Sequence, residues 1–381
     1  MIYIDTPQAL KEASAEIARS SWAAVDTEAD SLHHYVEKLC LVQISVPGYD
    51  FVVDPLVPLD LTPVIDAMND KFLLLHGADF DIRMIRKLYD LKPARIFDTL
   101  LAAQLLGYDG QGLADLAKRH CGVTLLKASQ KADWSQRPLE AKHIDYAAKD
   151  THYLKTISDA QQEELRALGR LSWHAESCEK LLNSLLKEKA ESEPDELRWQ
   201  VKGSKHLSPK ALAILKELWD WREKEAERKD RPPFKVLHTE QLLAIAEFAE
   251  KHPGADVAEL PKAPRNIKGE HRDALNRTLV SAASKPPLRY EEKKTGKPKH
   301  RRMNKEAERR FDALRKVREE LAKELKFQPS LLATNFVLEN FAVECPVNKQ
   351  AMRELGSLMA WQTDLVADAF LKALRSPVAT S

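Results

Sequence analysis

Cysteine is scarce in this chain: four residues in 381, Cys40, Cys121, Cys178 and Cys345, with no Cys-x-x-Cys pair and no Cys/His metal spacing. A zinc site is therefore not expected, and a reducing cytoplasm is the simplest compartment. Long apolar runs are missing as well; nothing approaches the roughly eighteen residues of a membrane span. The first residues, Met1-Ile-Tyr-Ile-Asp-Thr-Pro7, lack the basic start and apolar stretch of a secretory signal. Nor is one charge in excess, since 59 Lys and Arg face 58 Asp and Glu, for a net charge of +1. That average conceals local segregation, so runs of charge matter more than the total. What the chain does have is a 44% hydrophobic content, ample for globular folding, and 31% charged residues for a heavily solvated surface. Its length is too great for one compact core and predicts two or three domains.

Thr6-Pro7 reads as a hydroxyl cap followed by proline at the first helical position, opening an amphipathic helix over residues 7–19. The next stretch, Trp22-Ala-Ala-Val-Asp-Thr-Glu-Ala-Asp30, has the pattern of a strand. Successive strand side chains alternate faces, so Asp26 and Glu28 point one way and Val25 and Thr27 the other. Two carboxylates on one patch repel unless one is protonated, both are solvated, or a cation sits between them. An exposed strand end with two solvated acids satisfies the pattern too. Leu39-Cys-Leu-Val-Gln-Ile-Ser-Val46 and Phe51-Val-Val-Asp54 continue the meander, residues 62–69 read as helix, and Phe72-Leu-Leu-Leu-His-Gly-Ala78 as an apolar strand. Helices and short strands are expected to alternate from there to about residue 190, which predicts an α/β sheet covered by helices.

At the end of that strand, His76-Gly-Ala-Asp-Phe-Asp81 leads into a helix. Strand-to-helix junctions are where open α/β sheets gather functional groups. Asp79 as N-cap and Asp81 in the first turn would also serve the helix itself. Further on, Pro138 precedes a helical run in which Tyr146 and Asp150 stand four residues apart on one face. A phenol and a carboxylate then reach the same place; a core tyrosine beside a surface ion pair is the plainer alternative.

Taken in order, Asp26-x-Glu28 on a first strand, Phe80-Asp81 after a later strand and Tyr146-x-x-x-Asp150 on a closing helix resemble the DEDD superfamily of 3′→5′ exonucleases, in its tyrosine-containing branch. Within it the chain is similar to the ribonuclease D family. Asp26-Thr27-Glu28, Leu39-Cys-Leu-Val-Gln-Ile44, Phe97-Asp98-Thr99, Asp133-Trp134-Ser135-x-Arg137-Pro138-Leu139 and Tyr146-Ala-Ala-Lys-Asp150 stand in its order and approximate spacing, over the first half of the chain. The resemblance implies an α/β ribonuclease H-like exonuclease domain in which Asp26, Glu28, Asp81 and Asp150 hold two divalent metal ions, Mg2+ or Mn2+. Asp26 is expected to bridge both, Glu28 and Asp150 to complete one site, and Asp81 to act directly or through water. Hard cations about 4 Å apart take oxygen ligands and stabilise the attacking and departing oxygens of an in-line phosphoryl displacement. Tyr146 is expected to orient the attacking water or accept its proton; a free phenol titrates near ~10, which favours orientation. Asp98 is read as a helix cap or support of the site, Asp79 as outside the ligand set, and His76 and His152 as structural. Ala29 departs from the bulkier apolar residue expected after the family glutamate, which bears on how the terminal base is wedged.

Beyond residue 170 the character changes. Residues 171–187 read as a helix leading away from the first domain, and Glu191-Ser-Glu-Pro-Asp-Glu196 as an acidic hinge. Ser208-Pro209 opens a helix carrying Leu212, Leu215, Leu218, Trp219 and Arg222 at helical spacing, mainly a core stripe. Residues 211–222 and 226–236 resemble the first two helices of an HRDC domain, a small helical module shared by helicases and ribonuclease D. Residues 311–325, 331–341 and 355–374 repeat that plan more faintly, as a second, divergent HRDC-like bundle with Trp361 in its core. The expected divisions are an exonuclease domain over 1–170, a helical linker over 171–197, HRDC over 198–285, a basic linker over 286–302 and the second bundle over 303–381. The basic linker would attract a polyanionic strand, or serve only as a solvated tether.

Together these features predict a metal-dependent 3′→5′ exoribonuclease that releases nucleoside 5′-monophosphates from RNA 3′ ends. The resemblance implies tRNA precursors with single-stranded 3′ ends as partners; the short apolar runs argue against a membrane, and no obligate protein partner is evident. A DNA exonuclease would use the same acids, because two-metal hydrolysis does not depend on the 2′-hydroxyl. A non-enzymatic nucleic-acid-binding protein would rely on the helical bundles and would not require four carboxylates with Tyr146.

Overall fold

Thr6 caps the first helix, α1 (Pro7–Arg19), with its hydroxyl accepting from the Ala9 N–H. The computed structural model describes residues 1–126, 129–187, 195–260, 267–291 and 303–375. These form one six-stranded sheet: β1 (Ile2–Ile4), β2 (Trp22–Ala29), β3 (Leu39–Val46), β4 (Tyr49–Val53), β5 (Phe72–Leu75) and β6 (Arg95–Asp98), in the order β1-β4-β3-β2-β5-β6. β2, β3 and β4 are the expected antiparallel meander, and β5 and β6 add in parallel beside β2. β1 was not foreseen: its three residues are too few to display alternation, and its pairing with β4 supplies the missing stabilisation.

Seven further helices complete this layer: α2 (Thr62–Asn69), α3 (Asp79–Arg86), α4 (Thr99–Leu106), α5 (Leu113–Cys121), α6 (Ala141–His152), α7 (Leu154–Ala167) and α8 (Leu171–Lys187). The anticipated alternation of strands and helices up to residue 190 ends at β6, after which no described residue is in a strand. One sheet face packs Val25, Val42 and Ile44 against Ile17 of α1, Ile65 of α2 and Ile82 of α3. The other packs Leu41 and Val52 against Ala147 and Ala148 of α6, whose small side chains let that helix lie close to the strands. α8 does not lead away from this layer; it lies against β6, α3 and α4, with Cys178, Leu182 and Leu185 joining the same core as Ile82 and Ile85.

Two helical bundles follow. The first comprises α9 (Pro209–Arg228), α10 (Pro233–Val236), α11 (Thr239–Lys251) and α12 (Glu270–Ala283), with the Ser208 hydroxyl capping α9 as read from the sequence. Leu212, Leu215 and Leu218 meet Leu242, Ile245 and Leu275 in a core drawn from this bundle and its flanking residues alone. The second comprises α13 (Lys305–Leu325), α14 (Pro329–Leu332), α15 (Asn335–Glu344), α16 (Lys349–Gly356) and α17 (Ala360–Arg375). Its core, with Trp361 buried as expected, is continuous with Ala102, Leu105 and Leu165 of the α/β layer. The ribonuclease H-like α/β domain followed by two all-α bundles thus stands. Residues 191–194 of the acidic hinge and 292–302 of the basic linker lie outside the described residues. No described helix is long and apolar enough to cross a membrane.

Candidate active site

Strand alternation aims Asp26 and Glu28 at α6, and the helical repeat brings Asp150 down onto them. One oxygen from each of these three carboxyls lies within 4.8 Å of the others. Asp81 arrives from the opposite side of β2. β5 pairs with β2 only as far as Ala24, so the acidic end of β2 projects past its neighbour and the first turn of α3 fills the gap. Thr27, facing away from Asp26, donates its hydroxyl to Asp81 Oδ1 at 2.6 Å. Asp26, Glu28 and Asp150 thus converge, each half-buried, while Asp81 is buried outside that trio, close enough for its charge to act on Glu28 and Asp150.

The electrostatics are those of acids crowded together out of water. Burial first, and Asp150 second, raise the Asp26 carboxyl. Burial and then Asp26, Asp150 and Asp81 push Glu28 up to about 10. Burial and Asp81 raise Asp150, while Asp81 is raised by burial and Asp26 against the lowering bonds from Thr27. A hard-oxygen donor set that repels itself suits a divalent cation, which would relieve both the desolvation and the mutual repulsion.

Tyr146 sits one helical turn before Asp150. Burial, then Asp150, Glu28 and Asp26, raise its phenol above the ordinary range. Behind it stands Trp134, with ring centroids 6.0 Å apart. The segment bearing Trp134 is pinned by Arg137, whose Nε and Nη2 reach the two Asp54 oxygens at 2.5 and 2.7 Å and whose Nη2 also reaches the Cys40 carbonyl at 2.9 Å. The Tyr3 hydroxyl donates to Asp54 as well. Asp133-Trp134-Ser135-x-Arg137 is thus a brace for the wall behind Tyr146.

Asp98 proves to be a cap twice over. Its carboxylate accepts from the Leu100 and Leu101 N–H groups opening α4, and from Gly77 and Ala78 N–H leading into α3. Asp79, by contrast, is exposed and pairs with Arg83; Ala78 holds the N-cap position. His76 bonds the Thr99 hydroxyl at 2.9 Å and His152 bonds Asp50 at 2.8 Å, both structural partners. Thr27, Trp134 and Gln43, which pairs with Asp26 across the β2–β3 ladder and is fully buried, had no assigned role from sequence. For Thr27 the signal was present: alternation already placed it on the face away from the two acids.

A family model described as 3′-5′ exonuclease matches residues 1–166, and the HRDC domain model matches residues 211–257 and 307–374. Ribonuclease D of Sphingobium indicum is 32% identical over 337 residues, 87% of this chain and 84% of that protein. The chain belongs to the ribonuclease D family. It is a 3′→5′ exoribonuclease of the DEDD superfamily with HRDC domains, and the acidic cluster is the candidate metal site of that activity. The fold is shared with solved structures: a Bifidobacterium adolescentis protein superposes with a TM-score of 0.80 at 22% identity, covering 99% of this chain and 97% of that one. Escherichia coli RNase D, described as an exoribonuclease involved in structured RNA processing, superposes at 0.70 with 23% identity, covering 98% of each chain.

Proposed function

We propose that this family member removes nucleoside 5′-monophosphates from the 3′ ends of structured RNA, tRNA precursors among them, using two divalent ions, Mg2+ or Mn2+. The observation that carries the reading is the convergence of Asp26, Glu28 and Asp150 within 4.8 Å, with Asp81 held behind them by Thr27. Asp26, Glu28 and Asp150 would hold the ions, with Asp81 acting directly or through water. When bound, such ions supply a strong nucleophile from water near neutral pH and neutralise charge on the attacking and departing oxygens. Tyr146, a neutral phenol, donates a hydrogen bond that orients the attacking water, and Trp134 keeps that phenol in place. The exonuclease unit extends through α8, and the helical bundles that follow it guide RNA to the acids. The four free thiols fit a cytoplasmic location.

The test is a 5′-labelled RNA and its DNA counterpart with Mg2+, Mn2+ or EDTA. A metal-dependent ladder shortening from the RNA 3′ end is expected. Asp26→Asn should slow it on the order of 10³-fold or more. Mg2+ should raise the melting temperature of the parent chain and leave that of the variant unchanged. DNA degraded as fast as RNA would overturn the substrate assignment, and an unaffected Asp26→Asn variant the assignment of the acids.

A further inference from the structure

His34, in the turn between β2 and β3, has both ring nitrogens engaged. Nδ1 lies 2.6 Å from Asp230 Oδ2, and Nε2 lies 2.8 Å from Ser135 Oγ, whose hydroxyl reaches Asp133 Oδ1 at 2.6 Å. The neighbouring Tyr35 N–H donates to Asp230 Oδ1 at 3.2 Å, and its hydroxyl donates to Glu223 at 3.3 Å. Asp230 and Glu223 belong to the first HRDC bundle, at the end of α9 and within it. Ser135 and Asp133 flank Trp134, the wall of Tyr146, while His34 continues the chain that carries Glu28. One imidazole therefore ties both sides of the active-site rim to that bundle.

Two features mark the contact as built. Asp230 adopts φ 46°, a left-handed conformation uncommon for a residue other than glycine and one that Asp and Asn tolerate best. The first bundle also keeps an apolar core of its own, whereas the second shares its core with the α/β layer. Polar contacts at His34 and Tyr35 thus stand where the second bundle has a continuous apolar seam.

The hydrogen-bond directions fix the proton count. Asp133 and Asp230 only accept. Ser135 gives its hydroxyl proton to Asp133, so Nε2 must donate to Ser135, and Nδ1 must donate to Asp230. Both nitrogens donate only in the imidazolium; a neutral ring loses one bond of the relay. Facing the ring are Asp230 from the turn after α9, Asp133 from the segment before α6 and Asp30 from its own loop. Lys38 lies near Asp230, and His33 near Asp133. The bond to Asp230 is the largest influence and raises the His34 pKa, against burial.

We propose, resting on the assignment of the acidic cluster as the exonuclease site, that His34 is a positioning residue. Bonded as an imidazolium between Ser135 and Asp230, it fixes the first HRDC bundle against the active-site rim and sets the register of RNA long enough to touch both. The experiment compares hydrolysis of a dinucleotide with that of an RNA of about twenty nucleotides, from about pH 6 to about pH 9, across the range where histidine changes charge. The proteins are the full chain, Asp230→Asn, which retains tolerance of the left-handed turn, and His34→Gln. Loss of one charge-assisted bond should raise the long-RNA KM about tenfold in both variants at low pH, with kcat and dinucleotide hydrolysis unchanged. In the parent chain the long-RNA KM should climb toward the variants' value as pH rises through the His34 pKa, and the variants should show no such climb. The His34 ring resonances should titrate at lower pH in Asp230→Asn. Unchanged long-RNA KM and pH dependence in Asp230→Asn would overturn the proposal, as would dinucleotide hydrolysis falling in step with the long RNA. An Asp26→Asn control that still cleaves the dinucleotide would instead sink the site assignment, leaving the KM comparison to decide the clamp.

Discussion

Asp54 is fully buried yet stays ionised, because Arg137 meets both of its oxygens. Burial pushes its carboxyl upward, but the bonds from Arg137, Tyr3 and the Leu56 N–H win and hold it below the ordinary range. A carboxylate with a lowered folded pKa contributes stability that is complete above its unfolded value and is lost as pH falls through the folded one. Arg137→Ala strands the buried charge and is expected to cost about 3–5 kcal/mol at neutral pH. Urea unfolding should show that loss, and a shallower fall in stability on acidification than in the parent chain. An acid limb as steep as the parent's would mean Asp54 is not what titrates there. The same substitution loosens the Trp134 wall, so exonuclease activity should fall with it.

At the scale of elements, Asp98 joins two helix starts and a strand end. It is 2% exposed and collects N–H groups from the openings of α3 and α4. Asp98→Ala leaves both openings without their acceptor and is expected to cost about 2–3 kcal/mol, as the sum of two lost caps. Because α3 carries Asp81, activity should drop further than stability alone explains, with Asp98→Asn restoring part of both; chemical denaturation alongside the RNA ladder separates the two. Alternation alone placed Asp26 with Glu28, and the four-residue repeat placed Tyr146 with Asp150. β1 and the docking of α8 were not legible, since a three-residue strand and a generic amphipathic helix acquire meaning only from what they pack on.

Across the whole molecule the two bundles are attached by different physics. The second is welded on: Trp173 of α8 stacks on Trp361 of α17 with centroids 5.3 Å apart, and Glu176 accepts from the Ala360 N–H at 2.7 Å. Gly107, at φ 72° after α4, lets Lys326 approach so closely that an added Cβ would meet its Cβ and carbonyl oxygen at 2.9 Å. Gly107→Ala combines a left-handed alanine with that collision and is expected to cost about 1–3 kcal/mol. Calorimetry should resolve the effect as a lower melting temperature, with the second bundle becoming more sensitive to proteolysis; an unchanged melt would show that the seam can yield. The first bundle, held through His34 and Tyr35, is expected to be insensitive to this substitution.

By itself the sequence determined which side chains share a face, because strand and helix periods are local and place Asp26 with Glu28, and Tyr146 with Asp150, wherever those elements pack. It also determined the family, through the order of motifs along the chain. Only the tertiary structure decided how Asp81 enters from the far side of β2 through Thr27, why Arg137 stands where it does, and that one bundle shares an apolar core while the other meets the active-site rim through a histidine. Those depend on contacts between residues far apart in the chain, such as Thr27 with Asp81 and His34 with Asp230, whose register no local pattern encodes.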